Sequence, residues 1–97
     1  MKLFPGKAQE YKKRHDEIWP ELVALLKQSG ISDYYIYLDE ETNILFGTYK
    51  VADIDALEVL PRNPVMQKWW QHMSDIMESN TDHSPVSSPL VGMFYLE

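Results

Sequence analysis

The chain is predicted to fold as an α+β domain of the ferredoxin-like βαββαβ type, with an antiparallel sheet and its helices on one face. Three observations predict this. Ala8 to Ser29 carries apolar residues at spacings of three and four, a helical period. Ile31–Asp39 and Ile44–Val51 are two strand-like runs around a polar turn, which makes an antiparallel hairpin. A second helical stripe starts after Asn63-Pro64 and is followed by a last apolar run, Leu90 to Leu96. With Met1 to Phe4 as an opening strand, the order is strand, helix, strand, strand, helix, strand.

Each element has a local reason. Pro5-Gly6 is a turn signal after the first strand. Tyr11, His15, Ile18, Trp19, Leu22, Leu25 and Leu26 mark the helical stripe, and Pro20 interrupts it. Proline removes a helix hydrogen bond and pushes the preceding residue out of helical geometry, so two pieces are expected, broken between His15 and Pro20. Pro20 and Glu21 suit the first turn of the second piece, and Gly30 its end. In the first long strand Tyr34, Ile36 and Leu38 share one face, and Tyr35 and Tyr37 the other. Asp53 is placed to cap a short helix through Leu60 that turns Ile54 and Leu57 inward. Asn63 caps the next helix, with Pro64 at its first position and a stripe of Met66, Trp69, Trp70, Met73, Ile76 and Met77. Asn80 to Pro89 is a loop, and Leu90 to Leu96 the final strand.

Composition narrows the function classes. The 97 residues include nine Lys and Arg against fifteen Asp and Glu, a formal net charge of −6. Neutralising phosphates needs a clustered basic excess, so nucleic acid is not an expected partner, and neither is an anionic membrane surface. The absence of cysteine removes disulfides, thiolate metal sites and cysteine nucleophiles. It accords with a cytoplasmic location. No apolar run is long enough to span a bilayer, and the first residues lack a signal-peptide core, so no export is expected. A chain of this length buries roughly two thirds of its unfolded surface, which leaves little spare core. Three Trp, six Tyr and three Phe therefore point to an interface or an aromatic-lined pocket, and a helix-free sheet face points to a second subunit or a ligand.

Few residues can carry chemistry. His15, His72 and His83 are the groups whose ordinary pKa lies near neutrality. Their spacing gives no metal-binding pair, and His72 with Asp75 reads as a solvated surface pair. The four glycines form neither a phosphate loop nor a dinucleotide fingerprint, and no Gly-x-Ser-x-Gly elbow supports a serine nucleophile. His15 is the better lead, because it sits on the apolar stripe one turn after Tyr11. An imidazole there needs a partner or a purpose, and unpaired burial costs roughly 1–3 kcal/mol. A helix end next to it would favour its protonated form. A hydrogen-bonded structural histidine is the competing reading. Trp69 and Trp70 point about 100° apart on a helix, which suits one tryptophan in the core and one lining a cavity. An indole bordered by Tyr and His suits the apolar face and polar edge of a sugar. Two core residues are the competing reading. Asp39, Glu40 and Glu41 are solvated turn residues, and Ser84 to Pro89 is either a cover over a site or a connector.

Taken in order, Arg14-His15, Ile18-Trp19-Pro20-Glu21-Leu22, Tyr34 to Asp39, Lys68-Trp69-Trp70 and Asp82 to Ser87 resemble the L-rhamnose mutarotase family across nearly the whole chain. The resemblance implies one mutarotase-like domain over residues 1–97, a ferredoxin-like fold and a homodimer formed through the sheet. It implies interconversion of the α and β anomers of L-rhamnose, a monosaccharide substrate, and no cofactor or metal. It casts His15 as the catalytic proton donor and Tyr11, Tyr34, Trp69 and Trp70 as sugar contacts. Mutarotation opens the pyranose by moving protons at the ring oxygen and the anomeric hydroxyl. A group with a pKa near 7 can give and retrieve them. Members of the family have a longer first strand, and commonly Pro at the position of Thr81 and Asn at that of His83. His83 is thereby a candidate second titrating group. Two alternatives stand beside this reading: a cofactor-free monooxygenase of the same dimeric fold, and a non-catalytic sugar-binding or dimerisation module.

Overall fold

The computed structural model describes residues 1–97. Four α-helices and a two-stranded antiparallel sheet make a small α+β fold: α1 (Ala8–Asp16), α2 (Pro20–Gln28), β1 (Ile31–Asp39), β2 (Ile44–Val51), α3 (Ala56–Val59) and α4 (Pro64–Met73). A 3₁₀ turn, Leu60–Arg62, links α3 to α4.

The helix break falls where Pro20 requires it. α1 closes at Asp16, Trp19 is extended (φ −63°, ψ 132°), and Pro20 opens α2. Lys13, Arg14 and His15 occupy the last turn of α1, where cations complement the helix dipole. Gly30 follows α2 at φ +80°, and its carbonyl accepts from the Ala52 amide, tying the start of β1 to the end of β2. Asn63 caps α4 with its side-chain oxygen 2.9 Å from the Val65 amide.

In the hairpin Leu38 faces Leu45 and Tyr37 faces Phe46. Since side chains alternate, Ile36, Leu38 and Leu45 pack inward, and Tyr35, Tyr37 and Phe46 remain exposed on the opposite face. Asp39 organises the turn, accepting from the Glu41 amide and the Thr42 hydroxyl, and Asn43 takes the left-handed conformation. The register slips between Ser32 and Tyr35, where Asp33 has φ +49°.

Met1 to Phe4 contributes only isolated bridges. Lys2 pairs with Ile44 and Leu3 with Met77, so this segment runs between the start of β2 and residues 76–79. Four backbone bonds hold it, including Leu45 N–H to Met1 C=O at 2.7 Å and Glu78 N–H to Lys2 C=O at 2.9 Å. Its inward Leu3 joins Leu22, Leu45, Met73 and Ile76 in the core.

Three expectations are corrected. Leu90 to Leu96 forms no strand: residues 87–97 make no intrachain hydrogen bond and are fully in solvent. The chain beside Leu3 is supplied by residues 76–79, because α4 stops at Met73, leaving Ile76 and Met77 beyond the helix with both side chains buried. Ile54 is 72% exposed, not inward, because Asp53 spends its carboxylate on an Asp55 turn and the helix begins only at Ala56.

Candidate functional site

Tyr11 and His15 lie one turn apart on α1, so both project from the same face. Their rings stack at 4.3 Å between centroids and 29° between planes. His15 Nδ1 is 3.1 Å from the Tyr11 carbonyl oxygen. A carbonyl only accepts, so Nδ1 carries the proton and neutral His15 keeps its lone pair on Nε2. Across from this pair, Trp69 meets the His15 ring edge-on at 5.4 Å and 88°.

These side chains line a small cleft of about 60 Å³ that opens to solvent. α1 supplies Tyr11 and His15, β1 supplies Tyr34 and Ile36, and α4 supplies Trp69, Trp70 and Met73. Met77, Pro85 and His83 close one side. His83 stands at φ +70° in the turn that Asn80 and Asp82 organise, and it also borders a neighbouring polar groove with Lys68 and Gln71. All five residues expected at the site, His15, Tyr11, Tyr34, Trp69 and Trp70, share this one cleft. Trp69 is buried and Trp70 only half-buried, the split expected of core and cavity.

Burial sets the electrostatics. It lowers the His15 pKa from its ordinary value, with the Tyr11 carbonyl and Asp16 opposing it in part. Desolvation of the cation is the largest effect, so the imidazole is pushed toward its neutral form. Burial also raises the Tyr11 hydroxyl, helped by Tyr34, and raises the Tyr34 hydroxyl, helped by Tyr49. At neutral pH the cleft therefore offers a neutral imidazole and two protonated phenols. No three His, Asp or Glu side chains converge as a metal would require.

The sequence reading missed what holds His15 in place. Arg14 Nη1 donates to the His72 carbonyl at 2.6 Å and to Asp75 at 2.7 Å, Nη2 reaches Asp75 at 3.2 Å, and Nε donates to Glu10 at 3.0 Å. The guanidinium holds the Asp75 carboxyl below its ordinary pKa. It thereby ties α1 to the end of α4, the two helices that carry His15 and Trp69. Asp75 is exposed, as a surface residue beside His72 was expected to be, and its carboxylate is also held by Arg14. Trp19 backs the same wall, meeting Trp69 edge-on at 5.1 Å and lying 5.6 Å from His72.

The family model described as L-rhamnose mutarotase matches residues 1–96. The chain belongs to the L-rhamnose mutarotase family. An L-rhamnose mutarotase of Agrobacterium fabrum is 62% identical over 96 residues, covering 99% of this chain and 90% of its own. One from Mesorhizobium japonicum is 60% identical over 96 residues, covering 99% and 91%. A crystal structure of an L-rhamnose mutarotase from Formosa agariphila aligns at a TM-score of 0.92 and 52% identity, over 100% of this chain and 93% of that one.

Proposed function

We propose that this chain interconverts the α and β pyranose anomers of L-rhamnose in the cleft between α1, β1 and α4, with His15 moving the proton. The observation that carries this reading is the fixed tautomer of His15: Nδ1–H is engaged by the Tyr11 carbonyl, and Nε2 has no protein partner. Nε2 takes the proton of the anomeric hydroxyl while its electrons form the aldehyde C=O and the bond from C1 to the ring oxygen breaks. The ring oxygen takes a proton from water. Rotation about C1–C2 exposes the other carbonyl face, the ring closes, and Nε2 returns its proton to the new anomeric oxygen as the water is restored. Acceptance thus comes first at Nε2, and the donor role that the family resemblance assigns to His15 comes second. Tyr11 and Tyr34 serve as hydroxyl donors to sugar oxygens, and Trp69 and Trp70 as the apolar wall. No metal or cofactor enters the cycle.

The same reading takes residues 1–97 as one mutarotase-like domain of ferredoxin-like order, working in the cytoplasm as a homodimer. Met1–Phe4 beside β2 and residues 76–79 beside Met1–Phe4 support the four-strand order. The exposed Tyr35, Tyr37 and Phe46 support pairing through the open sheet face. Family membership favours the mutarotase over a monooxygenase or a passive sugar-binding module.

Saturation-transfer NMR on equilibrated L-rhamnose tests the activity: the α H1 is irradiated and loss of the β H1 signal is followed. Exchange should rise above the spontaneous rate in proportion to added protein. A folded protein that leaves the spontaneous rate unchanged would refute the reading.

A further inference from the structure

Beside the cleft of about 60 Å³ lies a groove of about 440 Å³, and Trp70 and His83 border both. The cleft alone is smaller than the usual small-molecule site, whereas the groove is of that size. The cleft is therefore not closed around a single ring. On the side of Trp70 and His83 it adjoins a second space of ligand dimensions.

The lining of that space has the chemistry of a sugar site. Lys68 and Gln71 stand three positions apart on α4, so they share a face, and both are exposed. Neither the Lys68 ammonium nor the Gln71 amide has an intrachain partner, which leaves three charged donors and an amide that both donates and accepts. Asp82 faces them from the loop, its carboxyl held below the ordinary pKa by the Ser84 hydroxyl and amide. One cation opposite one carboxylate suits a neutral polyhydroxyl ligand better than an anion, which would meet Asp82. The half-buried Trp70 adds the apolar surface on which a sugar ring lies.

The reaction leaves room for a larger substrate. Mutarotation needs a free hydroxyl on C1 and a ring oxygen that can leave C1. No bond to the remaining sugar oxygens is made or broken, so a substituent on one of them does not obstruct the chemistry.

We propose that the groove is a second sugar subsite, and that the chain also interconverts the anomers of disaccharides carrying L-rhamnose at the reducing end. The reducing rhamnose occupies the cleft, and the attached sugar lies on Trp70 between Lys68, Gln71 and Asp82. This rests on the mutarotase reading above and widens its substrate class.

Saturation transfer tests it with L-rhamnosyl-L-rhamnose disaccharides linked 1→2, 1→3 and 1→4, beside L-rhamnose itself. At least one linkage should show reducing-end exchange that rises with added protein. The double variant Lys68→Ala, Gln71→Ala should lower kcat/KM for that disaccharide about tenfold, the loss of one or two neutral-ligand hydrogen bonds, with the value for L-rhamnose unchanged. Acceleration of L-rhamnose and of no disaccharide would overturn the subsite and leave the mutarotase standing. No acceleration of any of the sugars would overturn both. A disaccharide rate that the double variant leaves unchanged, or an equal loss on L-rhamnose, would overturn the groove as the place of the second ring.

Discussion

The imidazole of His15 lies against the ring of Tyr11 at 4.3 Å, with its Nδ1 bonded to the Tyr11 carbonyl at 3.1 Å. One residue therefore sets both the tilt and the tautomer of the next, four positions on. The carbonyl acceptor belongs to the backbone, so it survives any change at position 11. The ring support does not, and the two contributions can be separated by mutation.

His15→Gln should remove proton transfer while keeping a polar side chain of similar reach. The expected loss in exchange rate is about 10²–10⁴-fold, the usual range for a positioned general acid–base group. L-Rhamnose binding, followed by NMR titration, should change only a few-fold. A variant that exchanges anomers at the parent rate would remove His15 from the mechanism. Tyr11→Phe keeps the stack and the backbone acceptor, so it should weaken sugar binding more than turnover.

The lowered pKa of His15 fixes the sign of the pH dependence. The neutral form is the resting base, so the enzymatic exchange rate should hold through neutrality and fall in acid. The midpoint should lie below about 6.5, the ordinary histidine value. Stability follows the same direction. Between the lowered folded pKa and about 6.5 the unfolded chain binds more protons than the folded one, so stability rises with pH across that window. This contribution is fully present above about 6.5 and is lost as the pH falls to the folded pKa. The difference in Tm between the parent and His15→Gln, measured against pH, should shrink or change sign in that window. A flat difference would show that His15 titrates normally.

Arg14 should matter for stability and for the placement of α1. Its side chain is 14% exposed and satisfies the His72 carbonyl as well as Asp75, whereas the Asp75 side chain is 66% exposed. Asp75→Asn should therefore cost about 1 kcal/mol or less in urea unfolding. Arg14→Ala, which also strands a carbonyl and lost packing, should cost about 1–3 kcal/mol. The Asp75 contribution has its own pH signature. Its folded pKa is depressed, so the stabilisation is present above the unfolded carboxylate value and disappears as the pH falls through the folded one. Equal costs for the two substitutions would place the interaction in the ion pair alone.

Local rules were enough to read the hairpin, the Pro20 break and the Asn63-Pro64 start, because a turn, a ring or a cap dictates each within a few residues. The five residues that share the cleft were named for a different reason: their ordered motifs resemble a family, and helical spacing alone left Tyr11–His15 and Trp69–Trp70 as core candidates. What could not be read depends on distance in sequence. Arg14 and Asp75 stand 61 positions apart, and neither periodicity nor spacing joins them. The run Leu90–Leu96 has the composition of a strand, yet a strand requires a partner, which its own chain does not provide. The burial that lowers the His15 pKa depends on distant chain segments and is not visible in sequence, whereas the helix end beside it is.

The adjacent tryptophans should separate stability from recognition. Trp69 is 6% exposed, touches both His15 and Trp19 edge-on, and belongs to the core cluster. Trp69→Ala should cost about 3–5 kcal/mol, as for other buried aromatics, and would lower the Tm along with activity. Trp70 is only half-buried and borders both the cleft and the neighbouring groove, so its removal opens a wall without emptying the core. Trp70→Ala should leave the Tm within a few degrees of the parent, raise KM for L-rhamnose and relax discrimination against sugars lacking the C6 methyl arrangement. The two variants are compared by thermal unfolding and by saturation transfer at several sugar concentrations. If Trp70→Ala unfolded as readily as Trp69→Ala, the indole at position 70 would be a core residue and the apolar wall of the sugar site would have to be sought at Met73 and Ile36.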